Sequence, residues 1–99
     1  MARFSLDLVA SARDDLRFFQ KFEQQLILDA IERQLSTEPL IPTRNRKLLR
    51  PNRLAPRELR VDHYRIFYNV EIDNGVVSVK AIGWKEHNTL FIRGKEYVL

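Results

Sequence analysis

The chain has 99 residues, a length that supports a single domain (1–99) with one modest hydrophobic core. It contains no cysteine, which excludes disulfides, a thiolate nucleophile and cysteine-based metal sites. Its two histidines lack the spacing of a metal-binding motif, so we expect no metal and no other cofactor. No stretch has the pattern of a signal peptide or of a membrane-spanning helix, so we expect a cytoplasmic protein without membrane contact.

The first third of the chain predicts a strand followed by helical structure. Within Arg3–Val9 polar and apolar residues alternate, as in a half-buried strand. Ser11 is of a type that caps helices, and helical spacing then continues, with a possible break into two helices at Gln20–Lys21. A residue before proline avoids the helical conformation, so Pro39 ends this region. The predicted apolar stripe of the helices comprises Phe19, Phe22, Leu26, Ile27, Ala30, Ile31 and Leu35.

The middle of the chain predicts a loop and two strands. Residues Thr43–Pro56 lack periodicity and predict a loop, whereas strand character resumes over Arg57–Val61 and is clearest over Tyr64–Asp73. In the last of these segments every second residue from Tyr64 onward is apolar and must face the helices. Arg65 and Phe67 are therefore expected on the opposite, open face of the sheet.

A turn and a partner strand come next. Asp73–Gly75 is a strong hairpin signal, because Asn-Gly tolerates the positive φ angles of a type I′ turn. Val76–Trp84 is the partner strand, and the tail Thr89–Leu99 predicts either another hairpin at Gly94 or an irregular arm. The element order β-α(α)-β-β-β predicts an α+β fold, in which an antiparallel sheet carries the N-terminal helices on one face.

Positive charge is concentrated in the segment Thr43–Arg65. This segment carries eight of the 17 Lys and Arg but two of the 13 Asp and Glu, so its net charge is +6 while the rest of the chain is at −2. Clustered Lys and Arg on a folded surface favour a polyanionic partner, either a nucleic acid or an acidic protein that covers the same surface.

Three motifs resemble the RelE/ParE superfamily of toxins from bacterial type II toxin–antitoxin modules. They are RKLLRPN (Arg46–Asn52), ELRVDHYRIFYNV (Glu58–Val70) and VSVKAIGWKEHNTL (Val77–Leu90), and the likeness in length and element order extends over essentially the whole chain. The resemblance implies a RelE-like fold and a toxin that is neutralised by a cognate antitoxin protein. A RelE-like member would cut mRNA in the ribosomal A site without a metal, whereas a ParE-like member would inhibit DNA gyrase and cut nothing.

Arg65 is the main catalytic candidate for the RelE-like activity. Metal-free RNA cleavage uses the 2′-OH as nucleophile and needs a base, an acid and cations that stabilise the extra phosphorane charge. The guanidinium group of Arg65 matches two phosphate oxygens and stays charged at any working pH. Its position also matches the strand arginine that the resemblance places at the scissile phosphate. The alternative is a surface arginine paired with Glu71 or Asp62.

Three further residues are catalytic candidates. Lys85 matches, through the Gly-x-Lys step, the second catalytic arginine of RelE-like toxins, or it is a solvated lysine at a strand end. His87 is of the type that exchanges protons near neutral pH, or it stabilises a turn with Asn88. Glu58 is a candidate general base by resemblance, or the ion-pair partner of a neighbouring arginine. His63 is interpreted as a surface turn residue.

The remaining candidates would hold RNA rather than react with it. Phe67, beside Arg65, is expected to stack a base or to be covered by antitoxin. The expected contacts to the RNA backbone are Arg44, Arg46, Lys47, Arg50, Arg57 and Arg60.

The sequence departs from RelE-like toxins at two places. Phe91 falls where they have a catalytic tyrosine, and Pro56 and Glu58 fall where they have paired lysines. A gyrase-directed toxin and a non-catalytic RNA- or protein-binding module therefore remain as alternatives.

Overall fold

The computed structural model describes residues 3–99. Over this range the chain forms two helices and seven strands, with bounds β1 Ser5–Leu8, α1 Ala10–Arg17, α2 Lys21–Leu35, β2 Arg46–Leu48, β3 Arg57–Val61, β4 Tyr64–Glu71, β5 Val76–Glu86, β6 Thr89–Ile92 and β7 Lys95–Tyr97. The predicted α+β class, with the helices on one face of a mainly antiparallel sheet, is confirmed. None of the described helices is long and apolar enough to span a membrane.

The sheet runs in the order β2-β3-β4-β5-β6-β7, and β1 pairs with β5 outside this path. This pairing is parallel, which corrects the expectation of an entirely antiparallel sheet. A further correction is that a short edge strand, β2, forms inside the predicted loop. The tail forms the hairpin β6–β7, which is the first of its two predicted alternatives.

The helix-side face of the sheet holds the main core. The helical stripe is confirmed from Ile27 to Leu35, whose side chains pack on the buried strand residues Ile66, Tyr68 and Val79. Phe19 is buried as expected, but Phe22 and Leu26, which were also expected in this stripe, are 68% and 37% exposed. The buried positions of α2 repeat every four residues from Ile27, and this spacing leaves Phe22 on the far side of the helix.

The break between the helices is confirmed, and a capping box fixes the start of α2. The Gln20 side chain accepts from the third helical N–H, and the Glu23 carboxylate accepts from the Gln20 N–H at 3.1 Å. Glu23 Oε2 also accepts a hydrogen bond from the Tyr64 hydroxyl at 2.6 Å, which ties α2 to the beginning of β4. This bond lowers the pKa of Glu23. Burial, followed by the bond to Glu23, raises the pKa of Tyr64 to about 12.

One edge of β5 is shared by β1 and β6, and side chains of α1 cover the gap between them. The strand β1 pairs along Val76–Val79, while β6 begins only at Trp84. Within the gap, Asp15 Oδ2 accepts the Ile82 N–H at 3.0 Å. Asp15 is 2% exposed, and this burial raises its pKa.

The side chains of Arg93 and Ser11 also lie at this gap between β1 and β6. Arg93 Nε lies 2.8 Å from Asp15 Oδ1, an ion pair without hydrogen-bond geometry. The Ser11 hydroxyl lies 3.5 Å from the Lys80 carbonyl oxygen. Ser11 is therefore not the predicted helix cap: α1 begins at Ala10, after Val9 in extended conformation.

Three tight turns set the register of β4 to β7. His87–Asn88 and Arg93–Gly94 each have two positive φ angles, as type I′ turns require. The predicted turn between β4 and β5 is present, but it is a four-residue loop, Ile72–Gly75, in which only Gly75 has a positive φ. It is therefore not the predicted type I′ turn, and Ile72 is exposed in the loop rather than aligned on the strand.

Candidate functional site on the outer face of the sheet

The outer face, opposite the helices, is only partly open. The end of the predicted loop folds back over it and buries a second, smaller core. Phe67 lies at the centre of this core and has no exposed surface, so its predicted role in base stacking is wrong in this structure. The loop carries leucines that must leave water, and Phe67 is the large apolar surface that they cover. The second core comprises Ala55, Phe67, Ala81 and Leu90, with Leu49, Leu54, Ile92 and Tyr97 packed around it.

Beside this core, four strands bring charged side chains together, and we call them the outer-face cluster. Arg60 on β3 pairs directly with Arg65 on β4, and Lys47 on β2 pairs with Glu58 on β3. Arg65 pairs with Gly83, so Lys85, two residues further along β5, lies on the same face. Neighbouring strands are about 5 Å apart and diagonal neighbours about 7–8 Å. The members of the cluster are Lys47, Glu58, Arg60, Arg65 and Lys85.

Arg65 lies on the predicted face, and the turn before it holds its side chain. Its Nη1 donates to the carbonyl oxygens of Asp62 and Tyr64, both at 2.8 Å. Its Nε is buried and has no hydrogen-bond partner. Burial lowers the pKa of Arg65; Arg60 acts in the same direction, and Glu58 opposes it. The expected alternative, pairing with a carboxylate of Asp62 or Glu71, does not occur among the described residues.

Glu58 is the only acidic member of the cluster, and its side chain is 2% exposed. Its Oε1 accepts a hydrogen bond from Arg60 Nε at 3.2 Å, and Lys47 is its cross-strand neighbour. The predicted ion pair with a neighbouring arginine is therefore confirmed. A general base must reach the proton that it removes, and this burial works against direct contact with a substrate. The carboxylate instead compensates adjacent cations that would otherwise repel each other.

Lys85 and His87 lie at the same end of the sheet as Arg65. The Lys85 N–H donates to the His63 carbonyl oxygen at 2.8 Å, which joins the end of β5 to the turn before β4. His87 is exposed at the tip of the next hairpin, and its predicted hydrogen bond to Asn88 is not formed. His63 is an exposed turn residue, as predicted, and its ring lies against Tyr64 at 4.2 Å.

Tyr97 was missed by the sequence interpretation. It pairs with Leu90 on β6, which in turn pairs with Lys85 on β5, so the three residues form a row across the outer face. Tyr97 and Lys85 line the same concavity of about 260 Å³. The residues after Gly94 do not alternate between polar and apolar, so no local signal placed Tyr97 on a strand.

Two of the predicted RNA contacts do not lie on this face. Arg46 is buried, and its guanidinium group donates to the carbonyl oxygens of Ile41 and Gln34 at 3.1 and 2.6 Å. Arg57 pairs with the core residue Tyr68 and therefore points to the helix side, where it approaches the Leu40 carbonyl oxygen at 3.4 Å. Both have structural roles instead of the expected ones. Arg44 and Arg50 are exposed in the loop regions that flank β2.

The Phe91 side chain points away from the outer-face cluster. It pairs with Trp84, and the two rings stack at 5.7 Å on the helix-side face. The aromatic residue that stands where a catalytic tyrosine was expected therefore belongs to the packing of the sheet end. Among residues 3–99, no group of three His, Asp or Glu is arranged to hold a metal ion.

The outer-face cluster has the features of a phosphate-binding surface. Arg60 and Lys85 lie on the strands next to Arg65, one buried carboxylate limits the repulsion between the cations, and the second terminal nitrogen of Arg65 remains as a donor. Charged donors of this kind bind phosphate oxygens and stabilise a phosphorane.

The comparison with solved structures agrees with this architecture. A chain of the toxin–antitoxin complex RelBE2 from Mycobacterium tuberculosis superposes with a TM-score of 0.75 at 22% identity, over 86% of this chain and 94% of that chain. A chain of the archaeal RelE–RelB complex from Pyrococcus horikoshii gives a TM-score of 0.56 at 16% identity, over 88% and 99% of the two chains. No family model and no curated protein matches the sequence. At these identities the likeness is one of fold, and the predicted RelE-like fold is confirmed.

Proposed function

We propose that this chain is the toxin of a type II toxin–antitoxin pair and that it cuts mRNA on the ribosome without a metal. The observation that carries the proposal is the outer-face cluster, with Arg65 at its centre, on a RelE-like fold. The structures with this fold are described as toxin–antitoxin complexes, which supports a cognate antitoxin as the partner of this chain. An acidic antitoxin segment that covers the cluster would neutralise it by charge complementarity.

In the proposed reaction the 2′-OH of one nucleotide attacks the adjacent phosphorus. The bond to the 5′-oxygen breaks, which leaves a 2′,3′-cyclic phosphate on one fragment and a 5′-OH on the other. Arg65 binds the phosphate oxygens, and Arg60 and Lys85 add positive charge as the phosphorane forms. Glu58 positions Arg60 and Arg65, because its buried carboxylate lies next to both in the sheet.

Two residues are proposed for the proton transfers. His87 is exposed at the hairpin tip and is of a type that exchanges protons near neutral pH. Tyr97 offers a hydroxyl and an aromatic ring in the same concavity as Lys85, where Phe91 offers neither to the outer face. Arg65 must release the Asp62 and Tyr64 carbonyls, or use its other donors, to bind phosphate.

The test maps 5′-OH RNA ends in cells after brief induction of the wild type and of Arg65→Ala. We expect new cuts inside translated reading frames, reduced at least about 100-fold in the variant, which is the scale for losing one charge-stabilising group. Arg13→Ala is the matched control, because it removes an exposed positive charge from the other side of the protein. Urea unfolding of the purified variants separates lost chemistry from lost folding.

Each other outcome points to a specific alternative. Cuts that persist in a folded Arg65→Ala protein would overturn the role of Arg65. Growth arrest without new 5′-OH ends, accompanied by a DNA-damage response, would move the target to DNA gyrase. Normal growth at high expression would favour a non-catalytic RNA- or antitoxin-binding module.

A further inference from the structure

A concavity of about 330 Å³ lies on the helix side of the sheet end, on the face opposite the outer-face cluster. The end of α1, the start of α2, the turn before β4 and the end of β5 form its walls. Its chemistry differs from that of the outer face, because aromatic rings and carboxylates line it and neither lysine nor arginine does. Its lining side chains include Phe18, Glu23, His63, Trp84 and Glu86.

The aromatic wall is partly open to solvent. Phe18 stacks on Trp84 with ring centroids 5.5 Å apart and an interplanar angle of 18°, yet Phe18 is 53% exposed. Phe19 meets Trp84 edge to face, with ring centroids 5.6 Å apart. The faces of aromatic rings carry negative electrostatic potential and attract cations, most strongly planar guanidinium groups.

Two carboxylates beside these rings have no Lys or Arg partner among residues 3–99. Glu23 accepts hydrogen bonds from the Tyr64 hydroxyl and the Gln20 N–H, and Glu86 accepts one from Trp84 Nε1 at 3.0 Å. All these donors are uncharged. Across the described range, 3–99, neither carboxylate forms an ion pair with Lys or Arg, although the chain carries 17 such residues. The Tyr64 hydrogen bond has the largest effect on the pKa of Glu23, and the charge of His63 has the smallest. The pocket therefore presents negative charge that His63 offsets only in part, next to exposed aromatic surface.

We propose that this pocket binds the guanidinium group of an arginine presented by a protein partner. The planar group can stack on the exposed aromatic surface while its N–H groups donate to the free lone pairs of Glu23 and Glu86. The site lies on the face opposite Arg65 and does not depend on RNA cleavage. A basic protein can thus occupy the helix side while a polyanion occupies the outer face.

The indole N–H of Trp84 reports on this site, because the chain has a single tryptophan and this group bonds directly to Glu86. The experiment titrates the peptide acetyl-Gly-Arg-Gly-amide into ¹⁵N-labelled protein at pH 7.5 and follows the indole cross-peak. The comparison peptide carries citrulline, which keeps the shape of arginine without its charge. We expect a saturable shift with the arginine peptide and binding at least about threefold weaker with citrulline.

Matched variants test whether the peptide binds in this pocket. Glu86→Gln keeps an acceptor for the indole but removes the charge, and we expect about threefold weaker binding. Glu38→Gln removes an exposed carboxylate outside the pocket and is not expected to change the titration. Equal shifts with the two peptides in the wild type, or unchanged binding in Glu86→Gln, would overturn the proposal. Because no RNA is present, either result leaves the cleavage proposal untouched.

Discussion

The two faces of the sheet are built in different ways. On the helix side, two helices cover the strands with a continuous apolar core, and charged groups stay at its margin. On the outer face, a short loop and the β6–β7 hairpin cover only the region around Phe67, and charged side chains occupy the rest. The small core is therefore also the support of the outer-face cluster, because Phe67 pairs directly with Glu58. The helix-side core that stabilises the fold is therefore separate from the residues of the proposed activity, whereas the core on the outer face lies next to them.

The largest expected effect comes from Phe67→Ala, which empties the second core. Truncating a fully buried phenylalanine costs about 3–5 kcal/mol of unfolding free energy. Urea unfolding measures this loss, and Phe22→Ala is the control because that ring is 68% exposed. If Phe67→Ala instead unfolded like the wild type and lost only RNA binding, the ring would be a stacking platform and the buried arrangement would be wrong.

Phe67 shows which structural features the sequence alone predicts and which it does not. Period-two alternation places Phe67 on the outer face correctly, because the side chains of a strand alternate by covalent geometry. Its burial depends on a loop that returns from up to 18 positions earlier, and no local pattern encodes that contact. Arg46 illustrates the same limit: in the sequence it is one charge in a basic run, yet its guanidinium group donates to the carbonyl oxygens of Gln34, at the end of α2, and of Ile41.

Some residues of the candidate site could be placed from the sequence, and others could not. Strand alternation placed Arg65 on the outer face, and the sheet register confirms that placement. The motifs named Lys85 and Glu58 as candidates, but only the register shows that they lie on the same face as Arg65. Tyr97 was not identified, because its position depends on how the tail pairs. The role of Asp15 was equally hidden, since the gap that it covers exists only once β1 and β6 occupy the same edge of β5.

Gly83→Ala tests how closely β6 approaches β5 beside the outer-face cluster. A methyl group at this position would lie 2.2 Å from the Phe91 carbonyl oxygen, so backbone must move. We expect a loss of about 3 kcal/mol, at the upper end for overpacking. Gly75→Ala is the matched control: it has open space but a φ of +66°, and the left-handed conformation alone costs about 1 kcal/mol. Equal losses in urea unfolding would mean that the β6 contact is looser than the structure shows.

Asp15→Ala probes the helix side at the β5 edge and is expected to cost about 2 kcal/mol, because the Ile82 N–H loses its buried acceptor. Asp14→Ala, at an exposed neighbour, is the control. Asp15→Asn tests the direction in which the stabilising effect of Asp15 changes with pH. The folded-state pKa of Asp15 is raised, so its contribution is greatest below the ordinary value and is lost as pH rises through the folded value. The wild type should therefore exceed Asp15→Asn by more at pH 3.5 than at pH 7; the reverse order would contradict the burial effect.

The smallest expected effect is that of Tyr64→Phe, which removes the hydroxyl that joins β4 to α2. The bond to the Glu23 carboxylate is charge-assisted, but Glu23 remains in contact with water, so we expect a loss of about 1 kcal/mol at pH 7. Tyr64 stabilises Glu23 in its ionised form and lowers its pKa. Its contribution is therefore present above the ordinary glutamate value and is lost as pH falls through the lower folded value.

The difference in unfolding free energy between wild type and Tyr64→Phe should accordingly shrink as the pH is lowered from 7 to 3. Glu23→Gln should remove most of this pH dependence, because an amide does not titrate. Tyr64 directly precedes Arg65, and its carbonyl oxygen holds the Arg65 side chain. If Tyr64→Phe kept its stability but lost RNA cleavage, the helix-side bond would position Arg65, and the two faces would be coupled at this strand end rather than separable.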